Sequence, residues 1–522
     1  MKELKFEELS TRQKLGMTFT ACIHGDERPD GDDEFVFDLI KNHSLGAVWI
    51  QYDAGHAQEQ IEKVKAIADY PILIITDAES GIGEFLVGKH NAIGTTGSEK
   101  HAYAFGKTIG VAARKMGYNV LCNPVVDMGA GSMRSLGIDK DKVSALAIAE
   151  AKGMRDGGVL TVAKHYPGGS SLNKMDAHMG ESLSADTKEI LLDYALTPYL
   201  AMDKAGVLDG AMISHKKYIN IDNEHPGTLS KPLLDIIREQ GYEGFLITDA
   251  LCMMAVKAKY DDVESKALAM NAGVDLLLPY TIYNREQFES YCEAYDTGMI
   301  SDECLDAATK RVLAAQHRAT LLPTNSEVTE EEMKTFKSIN KDGIYIKKDD
   351  DVESTISRDG KHFFIIVAKQ ETSVSDGKVA VDTFSGNGWH QPDRIVQKIN
   401  ELFPNAKYQI IHEFPSQFEL MTVLENSLGC DKLVMMTFSE FVPYTGLEHL
   451  TRRLVNLIDA MQTTGRISNM IHYGNPYVLE ELPHIPNIIF GGPSLESVDT
   501  SLEVLAGVYP ANGEPTYNFK LK

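Results

Sequence analysis

An apolar run from Val159 to Ala163 stops at Lys164-His165, and a Gly-Gly loop then leads to Asp176-Ala177-His178. A cation, an imidazole and a carboxylate one residue from a second imidazole thus surround one strand end. Alone, such a loop can be a charged surface turn. A second segment changes the balance, because the apolar run Gly244 to Thr248 also ends in a single carboxylate, Asp249. Asp249 precedes a helical start, Ala250 to Met254, where Asp commonly caps the helix. Facing the same mouth as the first segment, it can instead attack an electrophilic carbon and form a covalent ester. Sugar acetals suit that chemistry. Asp176 and His178 alternate along an extended loop, so their side chains point the same way. The carboxylate would orient the imidazole and raise its proton affinity, keeping it a proton donor near neutral pH. Gly168, Gly169, Ser170 and Ser171 predict a mobile loop able to close over a substrate. Lys164 and His165 offer donors suited to sugar hydroxyls, and Arg134 offers a planar fork.

His165, His215 and Asp249 can also be read as metal ligands. Metal-dependent barrel hydrolases usually carry a His-x-His on the first strand, and only His24 stands near that place. The expectation is therefore no metal and no cofactor. There is no G-x-S-x-G elbow, no Walker loop and no G-x-G-x-x-G opening a helix after a strand. Gly491-Gly492-Pro493-Ser494 reads as a plain turn in preference to a phosphate cradle.

Eight short apolar runs, each followed by a helical pattern, would position these groups: Met17 to Cys22, Ala47 to Ile50, Ile72 to Thr76, Val120 to Cys122, Leu160 to Ala163, Ala211 to Ser214, Phe245 to Thr248, and Val274 to Leu278. Helical spacing shows in Ile61, Val64 and Ile67, and in Leu233, Ile236 and Ile237 after Ser230 and Pro232. Eight such units fit a closed (β/α)8 barrel of the TIM type, with an open doubly wound sheet as the rival. Polar residues favour the barrel. Asp77, Asn123, Asp127, Lys164, His165, His215 and Asp249 all sit at or beyond the C-terminal ends of their runs, where a barrel gathers its loops. From Leu321 to about Asp351 the chain turns polar and acidic, and a second α/β set follows: Phe363 to Ala368, Tyr408 to Ile411, Leu433 to Thr437, Asn469 to His472, and Ile488 to Phe490. The expected division is a catalytic barrel over 1–322, a linker over 323–351 and an α/β sandwich domain over 352–522.

At 522 residues the chain is too long for one ordinary core. No apolar stretch approaches the roughly 18 residues of a membrane span, and the charged start, Met1 to Glu8, is unlike a signal peptide. A cytoplasmic protein is expected. The six cysteines form no C-x-x-C pair and predict reduced thiols. A formal charge of −24 disfavours nucleic acid and anionic membranes as partners.

On these residues the chain resembles the family 3 glycoside hydrolases, in particular their bacterial β-N-acetylglucosaminidase branch. Lys164-His165-Tyr166-Pro167-Gly168 is similar to the family's K-H-[FY]-P-G, and Asp176-Ala177-His178 to the D-x-H of that branch. Gly241 to Asp249 resembles the segment carrying the nucleophile. Asn123-Pro124-Val125-Val126-Asp127 and Arg134-Ser135-Leu136-Gly137 resemble the sugar-contacting strand and loop. Gly474-Asn475-Pro476-Tyr477 and Gly507 to Pro515 are similar to parts of the family's second domain. The resemblance implies Asp249 as nucleophile, His178 as acid/base and Asp176 as its partner. It implies Asp77, Arg134, Lys164, His165 and His215 as the substrate-binding set. Two departures stand out. Asp77-Ala78-Glu79-Ser80-Gly81-Ile82-Gly83 lacks a Gly and the Arg of the family's D-x-E-G-G-R-V, and Pro167-Gly168-Gly169-Ser170-Ser171 replaces P-G-H-G-D.

The expected activity is that of a retaining exo-β-glycosidase releasing terminal N-acetylglucosamine through a glycosyl-enzyme on Asp249, with cell-wall fragments as the source the resemblance suggests. A phosphorylase is the first alternative, since an imidazole repels an incoming phosphate less than a carboxylate would. A glucosidase on the same fold and a non-catalytic sugar-binding relative are the others. A small carbohydrate is the expected partner, and the oligomeric state is left open.

Overall fold

The structure, a computed structural model, describes residues 2–23, 33–52, 55–128, 134–173, 175–281, 283–368, 371–375, 378–382, 390–439, 449–518 and 520–521. His24 lies outside them. Seven parallel strands run in sequence order: Thr20–Cys22, Ala47–Trp49, Leu73–Thr76, Val120–Leu121, Leu160–Tyr166, Gly210–Ile213 and Phe245–Thr248. The predicted eighth run, Val274 to Leu278, forms no ladder strand. It closes the sheet through isolated parallel bridges, Leu277 to Phe19 and Leu276 to Ile247. Backbone hydrogen bonds from Thr20 to Leu277 and from Thr248 to Leu276 join the two ends of the sheet, as an α/β barrel requires.

Side chains alternate across this wall. Trp49, Ile75, Val120, Leu160, Val162, Met212, Phe245, Ile247 and Leu278 fill the interior, while Val48, Ile74, Leu121, Ala163, Ile213 and Leu246 pack outward against helices. Val312, Ala315 and Ala319, from the helix Asp302–Thr320, join the interior cluster. Arg318 of that helix donates to the Asp209 carbonyl, just before the sixth strand, so the helix seals the N-terminal end of the barrel. Asp209 and Asp275, both buried there, pair with Arg155 and with Arg238 and Arg311.

Segment 323–351, expected as a linker, is largely regular structure. Its helix, Glu330–Asp342, begins with a capping box between Thr329 and Glu332. Phe336 stacks on Phe105 of the barrel shell and meets Phe85 edge-on. The isolated apolar positions are one stripe of an amphipathic helix. Tyr345–Lys348 then enters the second sheet as its antiparallel edge, beside Asn487–Gly491, Ile467–Tyr473, Leu433–Phe438, Phe363–Ala368 and Lys407–His412 in that spatial order. The last five are parallel, and helices Pro392–Leu402, Arg452–Gln462 and Leu495–Leu505 pack on them through a separate apolar core. Among the described residues no helix is long and apolar enough to cross a membrane.

Two shell helices, Glu99–Met116 and Lys140–Gly157, touch backbone to backbone. Each carries two glycines four residues apart, Gly106 and Gly110 on one, Gly153 and Gly157 on the other. A Cβ at Gly106 would stand 2.0 Å from the Glu150 carbonyl oxygen, and one at Gly153 would stand 2.3 Å from that of Tyr103. This approach fixes the height of Glu150, whose side chain reaches under the barrel mouth. Gly153→Ala is expected to destabilise the protein by about 1–3 kcal/mol through overpacking. A lowered urea midpoint would register this, and an unchanged midpoint would show that the helices can separate freely.

Candidate active site

The C-terminal strand ends bring the predicted polar residues together. The fifth strand supplies Lys164 and His165, which a cis peptide joins. The Lys164 ammonium, 2% exposed, lies 2.5 Å from Asp77 and 2.6 Å from Glu79. Glu79 also accepts two bonds from Arg134, at 2.8 Å from Nε and 2.6 Å from Nη2. That bidentate geometry needs a guanidinium. Burial opposes the charge on Glu79, yet Arg134 and Lys164 outweigh it and hold the carboxyl well below its ordinary value. Asp77 is raised, by burial first and by the neighbouring Glu79, against the pull of Lys164. Burial also works against the Lys164 charge, and Asp77 and Glu79 overcome it, so its pKa is raised.

His165 is fixed from the fourth strand. Its Nδ1 lies 2.7 Å from Asp127, which also accepts the His165 backbone N–H at 2.9 Å. A carboxylate facing Nδ1 places the proton there and turns Nε2 toward the mouth. Nε2 stands 3.3 Å from Arg134 and 3.9 Å from Asp249. Burial opposes ionisation of Asp127, and contact with His165 brings its pKa below the ordinary range.

Asp249 follows the seventh strand and accepts the Ala250 N–H at 2.8 Å. Its side chain is 20% exposed. Burial disfavours the carboxylate, but His165, His215, the Ala250 N–H and Lys164 together hold its pKa below the ordinary range. It is therefore an anion in a cationic setting at neutral pH. His215 is buried, with Nε2 2.9 Å from the Ala250 carbonyl and Nδ1 2.7 Å from the Thr228 hydroxyl. Burial lowers its pKa, so the neutral ring donates from Nε2 to Ala250. Both ring nitrogens are thus engaged within the protein, and His215 fixes the residue after Asp249.

Asp176 accepts the His178 backbone N–H at 3.0 Å and faces His178 Nδ1 at 2.7 Å. This arrangement leaves Nε2 as the atom able to give or take a proton. The dyad's turn is tied to the other segment, because Ala255 donates to the Ala177 carbonyl at 3.2 Å. His178 is also near enough to His215 for its charge to act there. The Gly168–Ser170 stretch, expected to be mobile, is instead heavily bonded. Tyr218 donates to the Gly168 carbonyl, Lys216 to the carbonyls of Gly169 and Ser170, and Asp186 accepts from both the N–H and the hydroxyl of Ser170.

Two residues outside the predicted set, Glu79 and Asp127, anchor the arrangement. Asp127 ends its run as Asp249 does, and Glu79 stands two residues beyond Asp77, so each carried a visible signal. Among the described residues no group of three or more His, Cys, Asp or Glu side chains is arranged to hold a metal ion.

The chain is similar to several known proteins. Residues 27–315 match the model of the glycosyl hydrolase family 3 N terminal domain. Beta-hexosaminidase A of Pseudoalteromonas piscicida is 25% identical over 369 residues, which cover 60% of this chain and 61% of that protein. The beta-hexosaminidase of Tolumonas auensis is 25% identical over 258 residues, 46% of this chain and 77% of the relative. A family 3 β-N-acetylglucosaminidase from Paenibacillus sp. str. FPU-7 superposes with a TM-score of 0.78 at 22% identity, over 97% of this chain and 98% of that one. The beta-glucoside phosphorylase BglX superposes at 0.77 with 20% identity, over 98% and 94%. The structural likenesses speak to the fold.

Because the folded pKa of Glu79 is depressed, its contribution to stability is complete above the unfolded value near 4.5 and is lost as pH falls from there. Asp77, being raised, acts in the opposite sense, and it loses the part of its shift that Glu79 supplies when Glu79 is neutralised. Glu79→Gln is expected to cost about 3 kcal/mol at neutral pH, by leaving the Arg134 charge poorly paired. It should also flatten the fall in stability below pH 4.5. Denaturation midpoints from pH 7 to pH 3 would test both, and coincident curves would remove Glu79 from the network.

Proposed function

The chain belongs to glycosyl hydrolase family 3, and on that premise we propose that it is a retaining exo-β-glycosidase acting on terminal N-acetylglucosamine. The observation that carries the proposal is the pairing of Asp249, held anionic among cations, with an imidazole presented by its own carboxylate on an adjoining turn. An Asp249 oxygen attacks C1 of the sugar. The bond from C1 to the bridging oxygen breaks, and its electron pair leaves with the aglycone oxygen, which takes a proton from His178 Nε2. A glycosyl ester on Asp249 results. Water then attacks C1 as the same Nε2 accepts its proton, and the Asp249 carboxylate departs, leaving the sugar in its original configuration. Asp176 keeps the His178 proton inventory on Nε2 throughout. Arg134, Lys164, Asp77 and His165 supply donors and acceptors for the ring hydroxyls, and His215 keeps Asp249 aimed by holding Ala250. The N-acetylglucosamine assignment leans on the matched beta-hexosaminidases, with a glucose-type glycone as the alternative.

Phosphate in place of water is the second possibility. An imidazole at the acid/base position adds no anionic repulsion of its own.

The test is a panel of matched p-nitrophenyl β-glycosides. Hydrolysis of the acetamido sugar with β-anomer first formed by NMR is expected. Asp249→Asn should abolish turnover while sugar binding survives in calorimetry. His178→Ala should lower the rate on a disaccharide by on the order of 10²–10⁴. The loss should be smaller on nitrophenyl substrates, whose leaving group departs with little need of a proton. Full activity in Asp249→Asn would overturn the mechanism. A sugar 1-phosphate formed with inorganic phosphate would replace hydrolysis by phosphorolysis.

A further inference from the structure

Arg134 is held at both ends. Its guanidinium is fixed by Glu79, and its backbone by the helix Asn91–Thr96 and the residue before it. His90 Nδ1 donates to the Arg134 carbonyl at 2.9 Å, and the buried Asn91 Nδ2 donates to the Ser135 carbonyl at 3.0 Å. His90 is itself fixed by Glu150, 2.8 Å from Nε2, on the glycine-packed helix. Asn91 is fixed from elsewhere. The same Nδ2 donates to the hydroxyl of Thr516 at 3.0 Å, and Thr516 lies 425 residues away near the chain's end.

The segment that delivers Thr516 crosses from the second sheet to the barrel. Gly513 donates to the Ile344 carbonyl beside the edge strand, and Glu514 donates to the Thr95 carbonyl, each at 2.8 Å. Glu514 pairs with Lys142 at 2.7 Å, and Tyr517 packs edge-on against Tyr477 of the second domain, 5.2 Å between centroids. Gly137 lies beside the same segment. A Cβ there would stand 3.4 Å from Thr516 Cβ, an ordinary van der Waals distance, so the Arg134 loop and the segment are neighbours.

We infer that Thr516 and Asn91 are positioning residues for Arg134, through which the C-terminal segment sets how tightly the sugar is held. This rests on the proposal that Arg134 contacts ring hydroxyls. Asn91 has two donor hydrogens on Nδ2, and the two acceptors, Ser135 and Thr516, use both. Removing the Thr516 hydroxyl leaves a buried N–H without that acceptor, and the amide can satisfy it only by rotating away from Ser135. The Arg134 backbone then loses one of its two supports. Since Arg134 would bind the sugar alike in ground state and transition state, the loss should appear in KM and spare kcat.

The experiment uses the full chain and the best p-nitrophenyl glycoside of the panel. Thr516→Val keeps the side-chain volume and removes the hydroxyl. It should raise KM about two- to tenfold, the range for one lost hydrogen bond, with kcat within about twofold of the parent. Thr516→Ser should restore KM. Glu514→Gln, which weakens only the surface pair with Lys142, should leave KM unchanged. Should Thr516→Val fail to fold, Thr516→Ala removes the same hydroxyl without an added methyl against Gly137. Unchanged KM in a folded hydroxyl-free variant would overturn the relay. A fall in kcat or thermal midpoint alone, without a KM change, would do so too, since it would mark a merely structural contact. A parent enzyme that cleaves no glycoside would instead refute the glycosidase proposal.

Discussion

A partly buried alternation of charge at the barrel mouth, Asp77 to Lys164 to Glu79 to Arg134, is what the rest of the site leans on. Two carboxylates and two cations face one another there, with Lys164 almost wholly buried among them. A single charge there would be costly to bury, and each pair repays part of that cost only because its geometry is close and largely fixed. The consequence reaches Asp249. A carboxylate with limited exposure would tend to take up a proton, and His165, the Ala250 N–H and Lys164 are what keep it ionised. Asp249 and the charged groups beside it are thus one electrostatic unit.

The scaffold supports that unit from below with uncharged and charged polar contacts. Glu150, wholly buried, accepts from Asn123 at 3.3 Å and lies 2.8 Å from His90. Asn123 in turn accepts the Ala78 N–H, the peptide between Asp77 and Glu79. One carboxylate on a shell helix therefore reaches, through two side chains, both the Asp77–Glu79 turn and the Arg134 carbonyl. Glycines at the interface of that helix let it sit close enough. Packing at the level of a missing methyl and charge placement in the mouth are linked by these few bonds.

Much of this was legible in the sequence. Short apolar runs ending in polar residues pointed to the barrel wall, the positions of Asp77, Lys164, His165 and Asp249 followed from where those runs stopped, and Asp176 and His178 were marked by their spacing on the loop beyond. Three things were not legible, for physical reasons. Val274 to Leu278 reads as a strand and bonds to both neighbours, but only Leu276 and Leu277 make bridges, so it closes the sheet without a continuous ladder. The acidic stretch after Leu322 hid a helix, because a narrow stripe holding Phe336 and Ile339 suffices when the partner surface is an apolar helix. The glycine loop after Pro167 suggested motion, since local composition could not reveal that Tyr218, Lys216 and Asp186 lay opposite it. Asp127 was placed at the mouth and Glu79 in the Asp77–Gly83 motif, but their roles as anchors of His165 and Arg134 showed only with their partners in place.

The placement of the acid/base dyad carries one further implication. Asp176 and His178 stand on a turn and not on a strand, a position that ordinarily gives less precise geometry. Here the turn is held by its own bonds, Met179 and Gly180 both donating to the Asp176 carbonyl, and by Ala255 donating to Ala177. Ala255 belongs to the short helix that Asp249 leads into, and Ala250, at the start of the same connection, is held by His215. Asp249 and His178, the two groups that act on opposite sides of one bond in the proposed mechanism, are therefore referenced to the same few residues after the seventh strand. A shift of that connection would move Asp249 and His178 together, whereas Lys164 and Arg134 are held by Asp77 and Glu79. On the proposed mechanism, misalignment would accordingly fall between the sugar and the pair Asp249 and His178, and not within that pair.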